Sequence, residues 1–252
     1  MKEMQAWSLD DKIWRARQLV SAELKQSKKP VVACSFGKAS IVVLHLVHTF
    51  CKNAVVLFHN TLCQYPETYA YRDLILKEWN IENYHETKPI KTFWKCVDEY
   101  GFPQFRHTAF TQGGKRPRTP KCCTFMKERP AKRFLKKYGA DCEFVGLQAS
   151  ESMVRRLSFF REGEVFDSKT YGCRIVRPIM IWTDKDLWDY HTEFNIPINP
   201  LYTKMSRTGC MPCTGFKNWR KQLAVSNPRM YKYISNRMGQ PLLEQFNEVP
   251  CK

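Results

Sequence analysis

Val31-Val32-Ala33-Cys34-Ser35-Phe36-Gly37-Lys38-Ala39-Ser40 is the stretch of the chain that decides the fold. Its apolar start predicts a buried strand, Gly37 predicts a sharp turn, and the apolar run from about Ser40 to Phe50 predicts a helix. The free N–H groups at the start of such a helix attract anions, and Lys38 adds a positive charge. The spacing differs from a Walker A loop. The stretch therefore predicts a phosphate site, with an ordinary strand–helix turn as the alternative.

Short strands and helices alternate outward from this stretch. Proposed strands cover 54–58, 81–86, 143–147 and 174–179, and proposed helices cover 8–27, 66–79, 91–100 and 184–194, with Ser8 or Asp10 capping the first and Thr183 or Asp184 the last. This alternation predicts an α/β fold, a mostly parallel twisted sheet with helices on both faces.

The chain divides into three segments by composition. We expect an N-terminal helix over 1–27, a nucleotide-binding domain over 28–198, and an irregular, partly helical, basic cap over 199–252. Residues 101–121 are rich in Gly, Pro, Lys and Arg, and we expect a loop that becomes ordered on a ligand.

The charge of the chain points to an anionic partner. There are 41 Lys and Arg residues against 24 Asp and Glu, a net charge of +17. Cations concentrate between Lys115 and Lys137 and in the tail, where aromatic residues are interleaved, a pattern typical of nucleic-acid binding. A merely solvated surface is the alternative. No segment has the length of a membrane span or the pattern of a signal peptide, so we expect a cytoplasmic protein without membrane contact.

Four of the eleven cysteines have the spacing of a metal centre: Cys122 and Cys123 are adjacent, and Cys210 and Cys213 form a C-x-x-C pair. In a reducing compartment, metal or redox roles are favoured over disulfides. Adjacent side chains diverge, which strains a single tetrahedral ion but suits an iron–sulfur cluster with several iron atoms. We therefore predict a [4Fe–4S] cluster on these four cysteines, with zinc or unrelated thiols as alternatives.

Several segments, in the same order, resemble the phosphoadenosine phosphosulfate (PAPS) reductase family of the adenine-nucleotide alpha-hydrolase (PP-loop, ATP pyrophosphatase) superfamily. Residues 35–40 resemble its SGGKDS-type pyrophosphate loop, and residues 59–68 its segment ending in P-E-T. Residues 145–155 are similar to G-x-R-x-x-E-S-x-x-R. Residues 177–183 and 199–202 are similar to its late P-I-x-x-W-[TD] and N-P-L-Y elements.

The resemblance implies a set of site residues. The implied nucleotide-binding residues are Ser35, Phe36, Gly37, Lys38, Ala39, Ser40, Glu67, Thr68 and Gln148, and the implied catalytic residues are Lys38, Ser40, Glu151 and Arg155. Ala39 replaces an aspartate of the loop pattern and Gln148 an arginine, so nucleotide binding is implied more firmly than hydrolysis. The cysteine set also resembles the [4Fe–4S] ligands of adenylyl-sulfate reductases and of relatives in DNA sulfur modification.

The function implied by the resemblance and the charge is an ATP-pyrophosphatase-type enzyme that inserts sulfur into nucleic acid, as in DNA phosphorothioation. Its expected ligands are ATP with Mg²⁺ and the cluster, and its expected partners are DNA, favoured over tRNA, and a cysteine desulfurase or other sulfur donor. A homodimer is compatible with the sequence.

Two alternatives stay open. One is a PAPS or adenylyl-sulfate reductase that releases sulfite, with Cys251 as nucleophile, although no E-C-G-L-H segment of the reductases is present. The other is a nucleic-acid-binding subunit whose loop has lost catalysis through Ala39.

Overall fold

A single six-stranded sheet organises the chain. The computed structural model describes residues 2–104 and 120–243. The strands are β1 (Pro30–Ala33), β2 (Val55–His59), β3 (Tyr84–Thr87), β4 (Cys142–Val145), β5 (Val165–Ser168) and β6 (Cys173–Val176). Their order is β3-β2-β1-β4-β6-β5, and every pairing is parallel except that of β5 with β6. The expected mostly parallel α/β fold is thereby confirmed.

Helices connect the strands and extend beyond them. They are α1 (Lys2–Gln5), α2 (Leu9–Gln26), α3 (Lys38–Phe50), α4 (Pro66–Glu78), α5 (Phe93–Tyr100), α6 (Lys121–Cys123), α7 (Arg129–Tyr138), α8 (Met153–Glu162), α9 (Asp184–Glu193), α10 (Trp219–Ser226) and α11 (Pro228–Arg237). A π-helical turn at Thr124–Glu128 joins α6 to α7, and 3₁₀ turns occupy Ala149–Glu151 and Pro200–Thr203. No helix within these described ranges is long and apolar enough to cross a bilayer.

The two faces of the sheet are covered differently. One face carries the main core, where Val32, Phe144 and Val176 pack with buried residues of α2, α3 and α9. The opposite face packs Val31, Leu57 and Ile175 against α7 through Leu135. Since period-two alternation sends neighbouring strand residues to opposite faces, Glu143 of β4, paired with Val31 and Ile175, belongs to the α7 face.

The C-terminal segment packs over the ends of the strands. Leu201, Met205, Leu223, Tyr231 and Ile234 form a separate apolar cluster, which includes Tyr65 from the start of α4. Tyr65 also forms a hydroxyl–hydroxyl hydrogen bond of 3.0 Å with Ser226 of α10. The cap is therefore attached directly to the carboxyl edge of the sheet, where ligands bind in folds of this kind.

The predicted elements agree with the structure to within about three residues at most boundaries, and Ser8 and Thr183 are the observed caps. Three elements escaped prediction. The edge strand β5, α8 and the α6–α7 helix lie in polar or strongly basic sequence, where apolar periodicity is weak. Of the loop expected over 101–121, residues 105–119 lie outside the described residues.

Candidate functional site

Ser40 organises the loop between β1 and α3. Its hydroxyl accepts hydrogen bonds from the N–H groups of Ser35 (3.2 Å) and Gly37 (3.1 Å) and donates to the Gly37 carbonyl (2.9 Å). The side chain is only 6% exposed. Ser40 therefore shapes the loop from inside, and this positioning role differs from the catalytic role that the resemblance implies.

Phe36 contributes to the loop through its backbone. Its φ of 56° lies in the left-handed region, which is unfavourable for a residue with a bulky side chain. The ring is fully buried against Phe58, with centroids 5.3 Å apart. Asn199 donates from its amide to the Phe36 carbonyl (3.2 Å), which ties the cap segment to this strained position. Strain of this kind is typical of ligand-binding turns.

Lys38 is held by residues from two other elements. Its N–H donates to the Tyr202 hydroxyl at 2.8 Å, and its ammonium pairs with Asp184 at 2.9 Å. The ammonium also lies over the rings of Trp188 (5.4 Å) and Tyr202 (5.9 Å). The first amide of α3 and the loop's one cation therefore lie beside the cap, at the place where an anion would bind.

Two glycines allow close packing around the loop. A Cβ added to Gly146, just after β4, would lie 2.8 Å from the backbone of Ala39 and Ser40. A Cβ on Gly37 would lie 2.7 Å from the Thr208 hydroxyl. Because backbone cannot give way as a flexible side chain can, Gly146 fixes the approach of β4 to the start of α3.

A cavity of about 960 Å³ connects this loop with the cysteines. From the predicted set, its walls include Ser35, Gly37, Lys38, Ala39, Ser40, Thr68, Glu151, Arg155, Cys122, Cys123, Cys210 and Cys213. Glu151 and Arg155 form an ion pair at the start of α8. Burial lowers the pKa of Arg155 to about 10, which still leaves the guanidinium charged at neutral pH. The cavity therefore holds most of the residues that the sequence singled out.

Three predicted residues lie elsewhere. Phe36 is buried as described, and Glu67 is absent from the cavity walls and lies 3.8 Å from the ammonium of Lys204. Gln148 is fully buried and donates from its amide to the Trp182 carbonyl at 3.1 Å. Its side chain ties the segment between β4 and α8 to the segment before α9, and it is absent from the cavity walls.

The cysteines converge from three parts of the chain. Cys122 and Cys123 come from α6, and Cys210 and Cys213 come from the loop after the 3₁₀ turn at Pro200–Thr203. Cys63 approaches Cys210 from the segment after β2. The Met211 N–H donates to the Cys63 carbonyl at 2.7 Å, and the thiols of Cys63 and Cys210 lie 3.5 and 3.4 Å from the Thr61 hydroxyl.

The thiols perturb one another. A hydrogen bond from Cys63 lowers the pKa of Cys210 to about 5, aided by the nearby Lys127 ammonium. A hydrogen bond from Cys122 lowers the pKa of Cys123 to about 7, again aided by Lys127. The thiolates in turn raise the pKa of Lys127. Thiolates beside fixed cations are suited to bind a metal cluster.

The donor set is compatible with an iron–sulfur cluster. Within the ranges that the structure describes, no group of three or more His, Cys, Asp or Glu side chains is arranged to hold a metal ion. The four predicted cysteines nevertheless line one cavity and present sulfur alone, the donor that iron–sulfur clusters use. The cluster remains a prediction that the sulfur-only donor set supports.

Sequence reasoning missed two residues of this site. Cys63 has no spacing relation to the other cysteines, and the backbone contacts of Cys63 and Gln64 with Met211 and Cys210 bring it near them. Glu143 is one acidic residue within an apolar strand, which was the available signal, and it lines the cavity.

Comparisons with known proteins agree with this geometry. Residues 29–216 match the phosphoadenosine phosphosulfate reductase domain family. The chain is 30% identical over 186 residues to an adenosine 5'-phosphosulfate reductase of Oceanobacillus iheyensis, covering 73% of this chain and 70% of that protein. It is 28% identical over 187 residues to adenosine 5'-phosphosulfate reductase 1 of Bacillus subtilis, covering 73% and 72%.

Two solved structures share the fold. The phosphoadenylyl-sulfate reductase of Candida auris, in its phosphate complex, superimposes with a TM-score of 0.57 at 17% identity, covering 77% of this chain and 87% of that one. The U34-tRNA thiolase NcsA of Methanococcus maripaludis, with its [4Fe–4S] cluster, superimposes with a TM-score of 0.50 at 12% identity, covering 96% and 80%. With the matched domain spanning the loop, the cavity and the cysteines, the chain belongs to the phosphoadenosine phosphosulfate reductase domain family.

Proposed function

We propose that this protein is an ATP-pyrophosphatase-type enzyme that activates an oxygen of a nucleic acid for replacement by sulfur. The observation that carries the proposal is that one cavity joins the nucleotide loop to the four cysteines. Such a cavity can hold the phosphates of ATP at one end and sulfur-bearing chemistry at the other. In the reaction, the acceptor oxygen would attack the α-phosphorus of ATP, form an adenylate and release pyrophosphate.

The chain's own residues divide this work by position. The Lys38 ammonium and the positive end of the α3 dipole would hold the phosphates, while Ser40 and Tyr202, which already accept from the Gly37 and Lys38 N–H groups, would keep the loop in shape. Arg155 lies on the cavity wall and forms an ion pair with Glu151. Its guanidinium would bind phosphate oxygens once that ion pair opens. A cluster on Cys122, Cys123, Cys210 and Cys213 would supply sulfur or electron transfer beside the activated oxygen.

The charge distribution favours a nucleic-acid acceptor, and the resemblance to relatives in DNA sulfur modification is the reason for proposing DNA before tRNA. The net charge is +17, and the π turn and α7 carry Lys127, Arg129, Lys132, Arg133, Lys136 and Lys137. Among the residues that the structure describes, none of these six has a carboxylate ion-pair partner. Lys127 faces the thiolates of the cavity, and the other five cations, without carboxylate partners along one helix, suit a phosphate backbone. The thiolase of similar fold is named for acting on a tRNA and carries a [4Fe–4S] cluster, which is consistent with this chemistry.

The second candidate is a sulfonucleotide reductase. Its specific support is the 30% identity to a protein named adenosine 5'-phosphosulfate reductase. Such an enzyme would release sulfite from its substrate at the expense of a thiol donor and would need no ATP. The two candidates share the loop and the cysteines, and they differ in substrate and product.

One experiment separates the candidates. The protein is purified under anaerobic conditions, and its iron and acid-labile sulfide are measured. Pyrophosphate release from ATP is then followed with DNA, with tRNA and with neither. We expect cluster-bound iron and pyrophosphate release that nucleic acid stimulates, together with loss of turnover in Lys38→Ala. Thiol-dependent sulfite release from adenosine 5'-phosphosulfate without ATP turnover would establish the reductase instead.

A lysine outside the loop provides a control for loss of charge. Lys185→Ala removes an exposed lysine that pairs with Asp189 on the outside of α9 and is absent from the cavity walls. Its pyrophosphate release should equal that of the wild type. Equal losses in Lys38→Ala and Lys185→Ala would indicate an effect of charge alone and would contradict the role given to Lys38.

A further inference from the structure

Glu143 lies in the middle of the sheet, on the face that α7 covers. Its neighbours across β1 and β6 are Val31 and Ile175. The residue is 4% exposed, yet it lines the cavity, because the cavity extends from the carboxyl edge of the strands along this face. A carboxyl group at such a position is directed into the cavity from a rigid strand.

Among residues 2–104 and 120–243, the Glu143 carboxyl has no partner: no hydrogen bond or ion pair within these ranges reaches its oxygens. Burial raises its pKa to about 7, and no neighbouring cation opposes that effect. Leaving a buried carboxyl unpartnered is unfavourable, so its presence beside a cavity indicates that a ligand supplies the missing hydrogen bonds.

The walls around Glu143 are apolar and aromatic. Tyr171 and Phe166 line the same part of the cavity, together with Ile175 and Ala131. Arg177 lies over the Phe166 ring at 4.7 Å, but its guanidinium already donates to Ser158 and to the Gly163 carbonyl. Aromatic walls with a few free hydrogen-bonding groups, here the Glu143 carboxyl and the Nε of Arg177, are typical of a site for a flat heterocycle.

The cavity also lies beneath the basic helix described above. Lys127 and Ala131, on the π turn and α7, line it from the inner side, while Arg133, Lys136 and Lys137 are exposed on the outer side. A polyanion that follows these cations would therefore pass the cavity, and a base turned out of its strand could enter.

We propose that this part of the cavity is a nucleobase subsite, in which Glu143 hydrogen-bonds an amino-bearing base: adenine, cytosine or guanine. The ionised carboxyl accepts a hydrogen bond from the exocyclic amino group of each of these bases, and guanine donates a second one from its ring N–H. Thymine and uracil lack the amino group, and their one ring N–H on this edge lies between two carbonyls, which repel a carboxylate. This inference rests on the proposed function in one respect: the base is taken to belong to the nucleic acid that accepts sulfur.

The test measures base preference in the intact protein. Binding of fluorescent single-stranded DNA is followed by anisotropy at pH 8 and one fixed salt concentration, using a twelve-residue thymidine strand and strands with one central adenine, cytosine or guanine. We expect the guanine strand to bind about 10-fold more tightly than the thymidine strand, the size of one bidentate base contact, and the adenine and cytosine strands to show a smaller preference from their single hydrogen bond. Glu143→Leu should abolish this preference while leaving binding of the all-thymidine strand unchanged, since the phosphates dominate that binding.

Two further variants keep the result interpretable. Glu82→Leu, at an exposed glutamate before β3, should retain the full preference. Glu143→Gln keeps the shape of the side chain and should change which base is preferred, because an amide has one donor and one acceptor. Thermal unfolding of each variant verifies the fold, and Glu143→Leu should unfold no earlier than the wild type because it removes an unpartnered carboxyl.

The outcomes are decisive in both directions. The subsite would be overturned if the base preference survived in Glu143→Leu. It would also be overturned if the wild type bound all strands equally and also bound AMP and UMP equally. If saturating AMP abolishes the preference and Glu143→Leu weakens AMP binding, the subsite holds the base of a mononucleotide. If AMP leaves the preference unchanged, the base comes from the strand. Pyrophosphate release is measured separately, so its failure would reject the enzyme function without affecting this result.

Discussion

The two ends of the cavity differ in how far the protein satisfies its own polar groups. At the loop end, Ser40, Tyr202 and Asn199 occupy the amides and carbonyls around Phe36, Gly37 and Lys38. At the cysteine end, several thiols lie together beside cations and shift one another's pKa values in opposite directions. The loop is thus preorganised by the fold, whereas the cysteine end consists of thiols that hydrogen-bond chiefly to one another beside cations, the setting of the proposed cluster.

The largest expected effect is at the cysteine end. Cys213→Ser replaces a proposed cluster ligand with a weaker oxygen donor, so bound iron should fall by more than about tenfold after anaerobic purification. Iron and acid-labile sulfide assays measure the loss. Cys51→Ser, at the end of α3 and away from the cavity walls, is the matched control and should retain its iron. Undiminished iron in Cys213→Ser would show that Cys213 is not a ligand.

The second effect concerns Glu143, the unsatisfied group between the two ends. Its pKa is raised from 4.5 to about 7, an interval that corresponds to about 3 kcal/mol. Below pH 4.5 the carboxyl is neutral in both states, and above pH 7 it is charged in both. The loss of folding stability that results from burying the charged carboxylate therefore increases as pH rises from 4.5 to 7. The nearby Tyr171 and Cys173 stay neutral there, because burial raises the pKa of each to about 12.

Urea unfolding of the wild type and Glu143→Gln between pH 4.5 and 8 measures this penalty. The wild type should lose about 3 kcal/mol relative to the variant as pH rises across that interval. A difference that is constant with pH would mean that Glu143 ionises normally and has a partner in solution.

The third effect tests how rigid the loop end is. Gly146→Ala brings a methyl group within 2.8 Å of the backbone of Ala39 and Ser40, and overpacking of this kind costs about 1–3 kcal/mol. Urea unfolding gives the loss of stability, and ATP binding should weaken in parallel because the start of α3 is displaced. Gly209→Ala, whose Cβ meets nothing within 4 Å, should change neither quantity. An unaffected Gly146→Ala would mean that the loop adapts more readily than its hydrogen bonds indicate.

The smallest effect concerns Asp184, which competes with phosphate for Lys38. Because the Asp184 side chain is 64% exposed, Asp184→Asn should change stability by less than about 1 kcal/mol. Removing the carboxylate should tighten ATP binding up to about fivefold, as measured by calorimetry at low salt. Asp189→Asn removes a pair with Lys185 on the same helix and should leave ATP binding unchanged. Weaker binding in Asp184→Asn would mean that the pair positions Lys38 for phosphate.

Much of the fold was predictable because it depends on local pattern. The apolar runs at β1, β2, β4 and β6 were found, together with the helices after β1, β2 and β6, since burial on both faces leaves a continuous apolar signature. β5 was not found, because its sequence Val-Phe-Asp-Ser is short, half-buried and at the edge of the sheet. The α6–α7 helix was not predicted, because its many Lys and Arg residues leave little apolar periodicity.

By itself, the sequence determined the strand–loop–helix unit at residues 31–50 and the four cysteines in their characteristic spacing, because turn chemistry and periodicity act over neighbouring residues. Only the tertiary structure decided that Cys63 lies beside Cys210, that Gln148 faces away from the cavity and that Glu143 faces into it without a partner. Those facts depend on contacts between residues far apart in the chain. The order of the strands and the packing of the cap create such contacts, and no local pattern records them.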